Sequence, residues 1–252
     1  MTDIKSLAKR YNFSDFTEKH YITLIKLAKK KYLFEPFTTK TEEPHVLWRH
    51  DVDSSVHRAL KLAKIEKKLG VKSTYFLRLH SEWYNLFEKE VYDKINDIIK
   101  LGHYIGLHFE YKFYPKYKLK FKNKIKTEKK ILEETFPTKI NSISFHQPFI
   151  NNKWTSPLDD KILGLVNTYG KKLQKKYFYC SDSNGYWKYN RLIDVLKKFN
   201  YSKLQVLTHP EIWQKRKMAP RKRYERCANM RAIKTMQRYD KELLNDKRIN
   251  IS

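Results

Sequence analysis

Two aspartates spaced two residues apart end the most informative segment of this sequence. Residues 44–53 read Pro-His-Val-Leu-Trp-Arg-His-Asp-Val-Asp, an apolar run that finishes in charged and imidazole side chains. Such a run is typical of a buried strand that delivers polar groups to the end of a sheet. On extended backbone Asp51 and Asp53 point to the same face, where two carboxylates repel each other unless a cation lies between them or one is protonated. The segment therefore indicates a cation-binding or acid–base site, or else a structural ion-pair network in which Arg49 and His50 neutralise both acids.

Strands and helices alternate along the chain around this segment. Apolar spacing and terminating residues predict strands at 44–53, 71–79, 103–109, 140–145, 176–180 and 204–207. They predict helices at 15–32, 54–70, 85–101, a segment ending near 136, a short one at 162–166, 190–199 and a basic one at 220–245. This alternation is the pattern of a parallel α/β sheet, which can be open or closed. We predict an α/β fold in one domain spanning residues 1–252, with extra N- and C-terminal helices.

Histidines are concentrated at the ends of these strands. Five of the nine lie at the C-terminal ends of separate predicted strands, namely His50, His80, His108, His146 and His209. Acidic residues share that location, namely Asp51, Asp53, Glu110 and Asp182. In barrels and open α/β sheets, ligands bind at the carboxyl ends of the strands. Because imidazole and carboxylate together are the usual ligands of a hydrolytic Zn²⁺-type ion, the sequence predicts a metal-binding cluster at this edge.

Composition narrows the class of protein. The 252 residues are 40% apolar and 15% aromatic, which favours a globular chain over a disordered one. No apolar run reaches the roughly 18 residues of a transmembrane helix, and residues 1–10 lack the apolar region of a signal peptide. Two cysteines are too few for a disulfide framework. We therefore expect a cytoplasmic protein.

The formal net charge of +27 is the strongest compositional bias. The lysines are spread over nearly every segment and no nucleic-acid motif is present, so we expect no nucleic-acid partner. From Glu211 onward the chain carries 13 Lys and Arg against 5 Asp and Glu. This charge either covers solvated faces or attracts an anionic partner, such as a nucleotide-linked sugar, a lipid-linked glycan or the inner face of a membrane.

Four motifs resemble the polysaccharide deacetylase superfamily, also called the NodB-homology or carbohydrate esterase family four. In order they are Trp-Arg-His-Asp-Val-Asp at 48–53, Thr-Tyr-Phe-Leu at 74–77, Gly-His-Tyr-Ile-Gly-Leu-His at 102–108 and Leu-Thr-His-Pro at 207–210. The similar core covers about residues 44–210 and looks like the branch with an HDVD first motif, which is associated with O-antigen and capsule synthesis. The resemblance implies a distorted (β/α)-barrel with fewer than eight parallel strands. It also implies metal-dependent removal of an N- or O-acetyl group from a sugar.

The resemblance suggests catalytic roles for two residues. In the family one aspartate of the first motif is the general base and the next is a metal ligand, which suggests Asp51 as base and Asp53 as ligand. The family has these two residues adjacent, whereas Val52 separates them here, so the roles could be exchanged. The late motif places a catalytic acid at His209. Arg49 would keep Asp51 ionised or bind an anionic part of the substrate.

The second motif departs from the family pattern, which has two histidines four residues apart. His108 matches the first of them, but Lys112 stands at the position of the second. The third metal ligand must then come from elsewhere. His146 and Glu110 are the candidates, and His146 is preferred because it ends the next strand. The expected cofactor is one divalent metal, Zn²⁺ first, with Mn²⁺, Co²⁺ or Ni²⁺ as alternatives.

Five residues are expected to contact a sugar substrate because they offer hydrogen-bonding and stacking groups, namely Arg49, His80, Asp182, Asn184 and Trp187. The leading hypothesis is a metal-dependent hydrolase that deacetylates an acylated, nucleotide- or lipid-linked sugar in surface-polysaccharide biosynthesis. Two alternatives keep the fold. One is hydrolysis of another C–N bond, and the other is a non-catalytic module that binds a glycan or an anionic surface.

Overall fold

Parallel strands that alternate with helices along most of the chain form the frame of the molecule. The computed structural model describes residues 4–114, 121–150, 153–154 and 156–251. The helices are α1 Ile4–Arg10, α2 Glu18–Lys29, α3 Val56–Lys68, α4 Lys89–Lys100, α5 Phe121–Thr135, α6 Lys171–Lys176, α7 Leu192–Lys198 and α8 Pro220–Asn245. The strands are β1 Leu33–Phe34, β2 His45–Val52, β3 Thr74–Leu77, β4 Tyr104–Phe109, β5 Ser142–Phe145, β6 Phe149–Ile150, β7 Lys153–Trp154, β8 Lys161–Ile162, β9 Leu165–Asn167, β10 Phe178–Ser181 and β11 Lys203–Thr208.

The main sheet is curled into a half-barrel. Its strands lie in the order β10, β11, β2, β3, β4, β5, β9 and β8, and the short β1 also pairs with β2. Every pairing in it is parallel except β8 with β9. Among the described residues no pairing joins β10 to β8, so the two ends of the sheet stay apart. The predicted α/β class is confirmed, and the sheet is curled without closing into a full parallel barrel.

Side-chain alternation along β2 separates two environments. Val46 and Trp48 pack in one apolar cluster with α2 and α7. Val52 packs in a second cluster with α3 and α4. Leu47 lies on the opposite face, against Phe37 and Phe76 inside the curl. Because side chains alternate with period two, the residues that continue the Leu47 face along β2 point into the curl, toward the carboxyl edge.

The helix-covered face of the sheet carries a buried polar network. Glu66 of α3 accepts hydrogen bonds from His50 Nε2 at 2.7 Å and Tyr75 at 2.7 Å, and from Tyr21. His103 Nδ1 approaches the same carboxylate at 3.5 Å. His50 is therefore a structural residue that fastens α3 to the sheet, although it follows a predicted strand end.

One predicted element is wrong. The short helix expected at 162–166 is instead the hairpin of β8 and β9. Leu163 and Gly164 join the two strands with φ of 50° and 80°, and a two-residue turn with positive φ at both positions matches the twist of a hairpin. The apolar spacing of this segment is too short to distinguish helix from strand.

The C-terminal helix α8 covers the range that the sequence predicts, and it packs against the body through Arg223, which is fully buried. None of the described helices combines the length and the apolar character needed to cross a bilayer.

Candidate active site

A cavity of about 1330 Å³ opens at the carboxyl ends of the strands. Its floor is formed by residues at or just beyond the ends of β2, β4, β5 and β11, and its rim is aromatic. Six residues predicted to act in the site line it, namely Asp51, Asp53, His80, His108, His146 and His209. The parallel sheet therefore brings together side chains that are far apart in the sequence.

Asp53 lies at the centre of this group. Its Oδ1 accepts a hydrogen bond from His108 Nε2 at 3.0 Å. Its Oδ2 faces His209 Nε2 at 3.7 Å and His146 Nε2 at 3.9 Å, and Arg78 Nη1 lies 3.9 Å from Oδ1. Burial alone would raise the pKa of Asp53, but the hydrogen bond from His108 and the charges of the imidazoles outweigh it and lower the pKa. Asp53 is therefore ionised, with three imidazole nitrogens directed at it.

Asp51 lies one step deeper on the same face. Its Oδ2 accepts a hydrogen bond from Ser144 at 2.9 Å and a longer one from Arg49 Nη2 at 3.4 Å. The same Arg49 nitrogen donates to Tyr169 at 2.6 Å. Asp51 Oδ1 has no hydrogen-bond partner among the described residues, and the side chain lines the cavity. One carboxylate oxygen is thus fixed by the protein, and the other is buried without a hydrogen-bond partner among the described residues.

Glu110 orients two of the residues around Asp53. Its Oε2 accepts hydrogen bonds from Arg78 Nη2 at 2.6 Å and from His146 Nδ1 at 2.5 Å. Burial would raise the pKa of Glu110, but the bond from His146 outweighs it and lowers the pKa. A histidine that donates from Nδ1 to a carboxylate presents its Nε2 lone pair on the other side, as metal-bound histidines do. Here that side faces Asp53.

His209 is held by a second carboxylate. Its Nδ1 donates to Asp182 Oδ1 at 2.7 Å, and its backbone N–H lies 3.1 Å from both oxygens of Asp182. Trp213 Nε1 donates to Asp182 Oδ2 at 2.9 Å. Burial alone would lower the pKa of His209, but the charge and hydrogen bond of Asp182, with the charge of Asp53, raise it to about 10. His209 is therefore cationic at neutral pH, with Nε2 directed into the cavity.

Glu211 adds a buried acid behind His209. Neither of its side-chain oxygens has a hydrogen-bond partner among the described residues. Burial and the nearby charge of Asp53 raise its pKa to about 8. Glu211 is therefore largely protonated at neutral pH and contributes little negative charge to the site.

The carboxylate and imidazole groups around Asp53 are of the types that bind a divalent metal ion. As the side chains stand, no three His, Cys, Asp or Glu residues among those described are arranged to hold a metal ion. The atoms that would bind it are nevertheless adjacent, since Asp53 is 3.0 Å from His108 and 3.9 Å from His146. Ligand atoms in a tetrahedral zinc site lie roughly 3.3–3.4 Å apart, a spacing that these two distances bracket. The two distances end on different oxygens of Asp53, so side chains would have to rotate before one ion could contact all three residues.

Of the residues expected to bind substrate directly, three lie elsewhere or have other partners. Arg49 is fully buried beneath Asp51, where it does not line the cavity. Asp182 is also buried and is occupied by His209, so its carboxylate supports that histidine from behind. Trp187 is only 7% exposed and packs among core aromatic side chains. The side chain of Asn184 lies outside the described part of the chain.

His80 does line the cavity, at its rim. Its ring stacks on Phe113 with centroids 3.7 Å apart, and its Nε2 is 2.7 Å from the hydroxyl of Tyr114. Lys112, at the position of the missing family histidine, donates to Gln147 Oε1 at 2.6 Å and also lines the cavity. It therefore lies at the rim, in a position to meet substrate, while His146 takes the place beside Asp53.

Several residues of the site were not predicted. Arg78 and Ser144 contact the two aspartates, and Tyr189 lines the rim with a side chain that is 83% exposed. Strand alternation could have indicated Arg78, which is two residues beyond Phe76 on the inner face of β3. It could also have indicated Ser144, two residues before His146. Tyr189 follows no periodic pattern and could not have been distinguished from other loop aromatics.

Comparison of the chain with models of known protein families gives no match, and comparison with curated proteins gives no relative. The geometry of the site and the short motifs are therefore the basis for a functional assignment.

Proposed function

We propose that this protein is a metal-dependent carbohydrate deacetylase of the polysaccharide deacetylase type, built on a distorted, incomplete (β/α)-barrel. The observation that carries the proposal is the convergence of His108, His146 and His209 on the carboxylate of Asp53. Beside them, Asp51 lines the same cavity, and its Oδ1 has no hydrogen-bond partner among the described residues. The order of the motifs along the chain resembles that superfamily, and the curl of the sheet is compatible with it.

Asp53, His108 and His146 would hold the divalent cation, Zn²⁺ first and Mn²⁺, Co²⁺ or Ni²⁺ as alternatives. When bound, such an ion supplies a water of lowered pKa and polarises the acyl carbonyl. Asp51 Oδ1 would accept the proton of the attacking water as general base. His209 would donate its Nε2 proton to the leaving amine or alcohol, a role that requires the cationic form maintained by Asp182. Arg49 would compensate the charge of Asp51 from below.

The shape of the cavity supports a substrate larger than a single acetylated sugar. About 1330 Å³ is above the upper end of ordinary small-molecule pockets, roughly 300–1,000 Å³. Tyr189 and Phe149 are exposed aromatic side chains on its rim, suited to stacking on sugar rings. Lys112 and Lys188 also line it and provide positive charge for an anionic group. A nucleotide- or lipid-linked acylated sugar in surface-polysaccharide biosynthesis combines these properties.

Metal binding and acetate release test the proposal together. Protein purified without affinity metal should bind about one Zn²⁺ per chain by calorimetry and elemental analysis, and it should release acetate from N-acetylated sugar nucleotides. Asp53→Asn should lose both properties, because it removes the central carboxylate. Asp93→Asn, at an exposed aspartate of α4, is the matched control and should retain both. Zn²⁺ binding that survives in Asp53→Asn would place the metal elsewhere.

A non-catalytic glycan-binding module is the second candidate. The observation in its favour is the direct hydrogen bond between Asp53 and His108, which satisfies the pair without a metal. This candidate predicts sugar binding with no acetate release under any of the four metals. It also predicts that Asp51→Asn binds the sugar as the unmodified chain does.

A further inference from the structure

Apolar side chains lie on the outward face of α8. Ile233, Met236 and Leu244 are 47%, 57% and 75% exposed, and Met230 and Tyr239 are exposed with them. At 100° per residue these five side chains occupy one half of the helix circumference, which they share with the polar residues Asn229, Gln237 and Asp240. An outward helix face in water normally carries mostly polar residues, so five exposed apolar side chains on this half are unusual.

The opposite half of α8 faces the body of the protein. Arg231 Nη2 and Arg238 Nη2 contact the carboxylate of Glu88, at 2.8 and 2.5 Å. Tyr224 packs 6.0 Å from Trp83, measured between ring centroids. Contacts on this side fasten most of the helix, Arg223 and Leu243 are buried as well, and the five exposed apolar side chains point away from the protein.

Basic residues surround the apolar half. Exposed lysines and arginines lie along α8 and at both of its ends, namely Lys215, Arg216, Lys217, Arg221, Lys222, Arg226, Lys234, Lys241, Lys247 and Arg248. The whole chain carries a formal charge of +27. Two copies pairing through this helix would bring like charges together, which disfavours a second copy as the partner. Nucleic acid would bind the basic side chains through its phosphates, which gives no role to the exposed apolar side chains.

We propose that the outward face of α8 lies in the interface of an anionic lipid bilayer. An amphipathic helix with apolar side chains on one face and Lys and Arg beside them binds at the boundary of headgroups and acyl chains, parallel to the membrane. Each basic residue near an anionic surface adds attraction that weakens with salt. The exposed Ile249 and Ile251, just beyond the helix, extend the apolar surface. This inference does not rest on the proposed catalysis.

Vesicle flotation with the full chain tests this surface. The protein should float with vesicles of phosphatidylcholine and phosphatidylglycerol, but not with phosphatidylcholine alone, and added NaCl should weaken the binding. Ile233→Ser combined with Met236→Ser should weaken it about tenfold, because two apolar side chains no longer enter the interface. Leu163→Ser is the matched control, since Leu163 is 49% exposed in the turn between β8 and β9, away from α8. This control should float as the unmodified protein does.

Several outcomes would overturn the proposal. Equal flotation with neutral and anionic vesicles would show that the basic side chains do not attract the protein to anionic lipid. Flotation that survives the double substitution would place the membrane contact elsewhere. Sedimentation velocity tests whether a second copy of the chain covers this surface instead of lipid. Dimers that the double substitution dissociates would show that α8 pairs with itself. Both substituted positions are exposed, so circular dichroism should show an unchanged fold.

Discussion

Asparagine in place of Asp182 removes the negative charge beside His209 while keeping the shape of the side chain. His209 has a pKa of about 10 against an ordinary value of 6.5, a difference worth on the order of 5 kcal/mol between its two protonation states. Asp182 is the leading source of that difference, through its charge and a 2.7 Å hydrogen bond. Without it, burial dominates, and we expect the pKa of His209 to fall to roughly 7 or below.

The consequence for stability has a definite sign. Because the pKa of His209 is raised in the folded state, its stabilising contribution is fully present below 6.5 and is lost as the pH rises toward 10. The unmodified protein should therefore lose stability between pH 7 and about 10, and Asp182→Asn should show less of this loss. The free energy of unfolding in urea, measured at a series of pH values, tests this prediction. Asp194→Asn, at an exposed aspartate of α7, is the control for removing one negative charge.

Imidazole ¹⁵N chemical shifts give the direct measurement. In the unmodified protein the His209 resonance should remain in its cationic form through neutral pH, and in Asp182→Asn its titration midpoint should lie about three units lower, at roughly 7 or below. If acetate release is established, the activity of the variant should decline at a lower pH than that of the unmodified enzyme, because the general acid loses its proton earlier. An unchanged titration midpoint of His209 in Asp182→Asn would refute this reasoning.

Two further predictions concern the sheet. Glu66→Gln should lower the free energy of unfolding by about 2–4 kcal/mol. The carboxylate accepts hydrogen bonds from a hydroxyl and an imidazole, and the NH₂ group of glutamine would face these donors without an acceptor. The pKa of Glu66 is lowered in the folded protein, because His50 outweighs the effect of burial. The contribution of Glu66 to stability is therefore lost as the pH falls below about 4.5, and Glu66→Gln should lose less stability over that range. Gly106→Ala should cost about 1–3 kcal/mol in urea unfolding, because its Cβ would lie 2.4 Å from the ring of Phe76. Gly164→Asn is its control and should cost less, since nothing lies within 4 Å of the new Cβ and asparagine tolerates positive φ better than most residues, so only the strain of φ +80° remains.

The strands and their polar ends could be predicted because parallel sheets impose simple rules. Apolar runs define strands, and parallel strands place their carboxyl ends at one edge. This was sufficient to collect Asp53, His108, His146 and His209 at one site. Side-chain alternation then decides which residues share a face. It separates Asp51, which points into the curl, from its neighbour His50, which bonds to Glu66 on the helix side.

What could not be predicted depends on contacts between distant segments. Trp187 lies in a loop of polar and small residues, where an exposed ring suited to a sugar was a reasonable hypothesis. Its burial depends on Phe16, whose ring centroid is 5.4 Å away and 171 positions earlier in the chain. The hairpin of β8 and β9 depends on two positive φ values, which a short apolar run does not reveal. In both cases tertiary packing overrides the local pattern.

The depth of each carboxylate in the curl gives a physical reason for assigning them different roles. Asp51 is compensated from below by Arg49, a side chain that keeps its proton at any ordinary pH and is fully buried. Asp53, one step nearer the cavity, faces the Nε2 atoms of His108 and His146, and imidazole nitrogen is a common metal ligand. Arg49 and Ser144 hold one oxygen of Asp51, and its other oxygen accepts no hydrogen bond from the described residues. The proposed roles, Asp51 as base and Asp53 as ligand, agree with these neighbours better than the reverse assignment does.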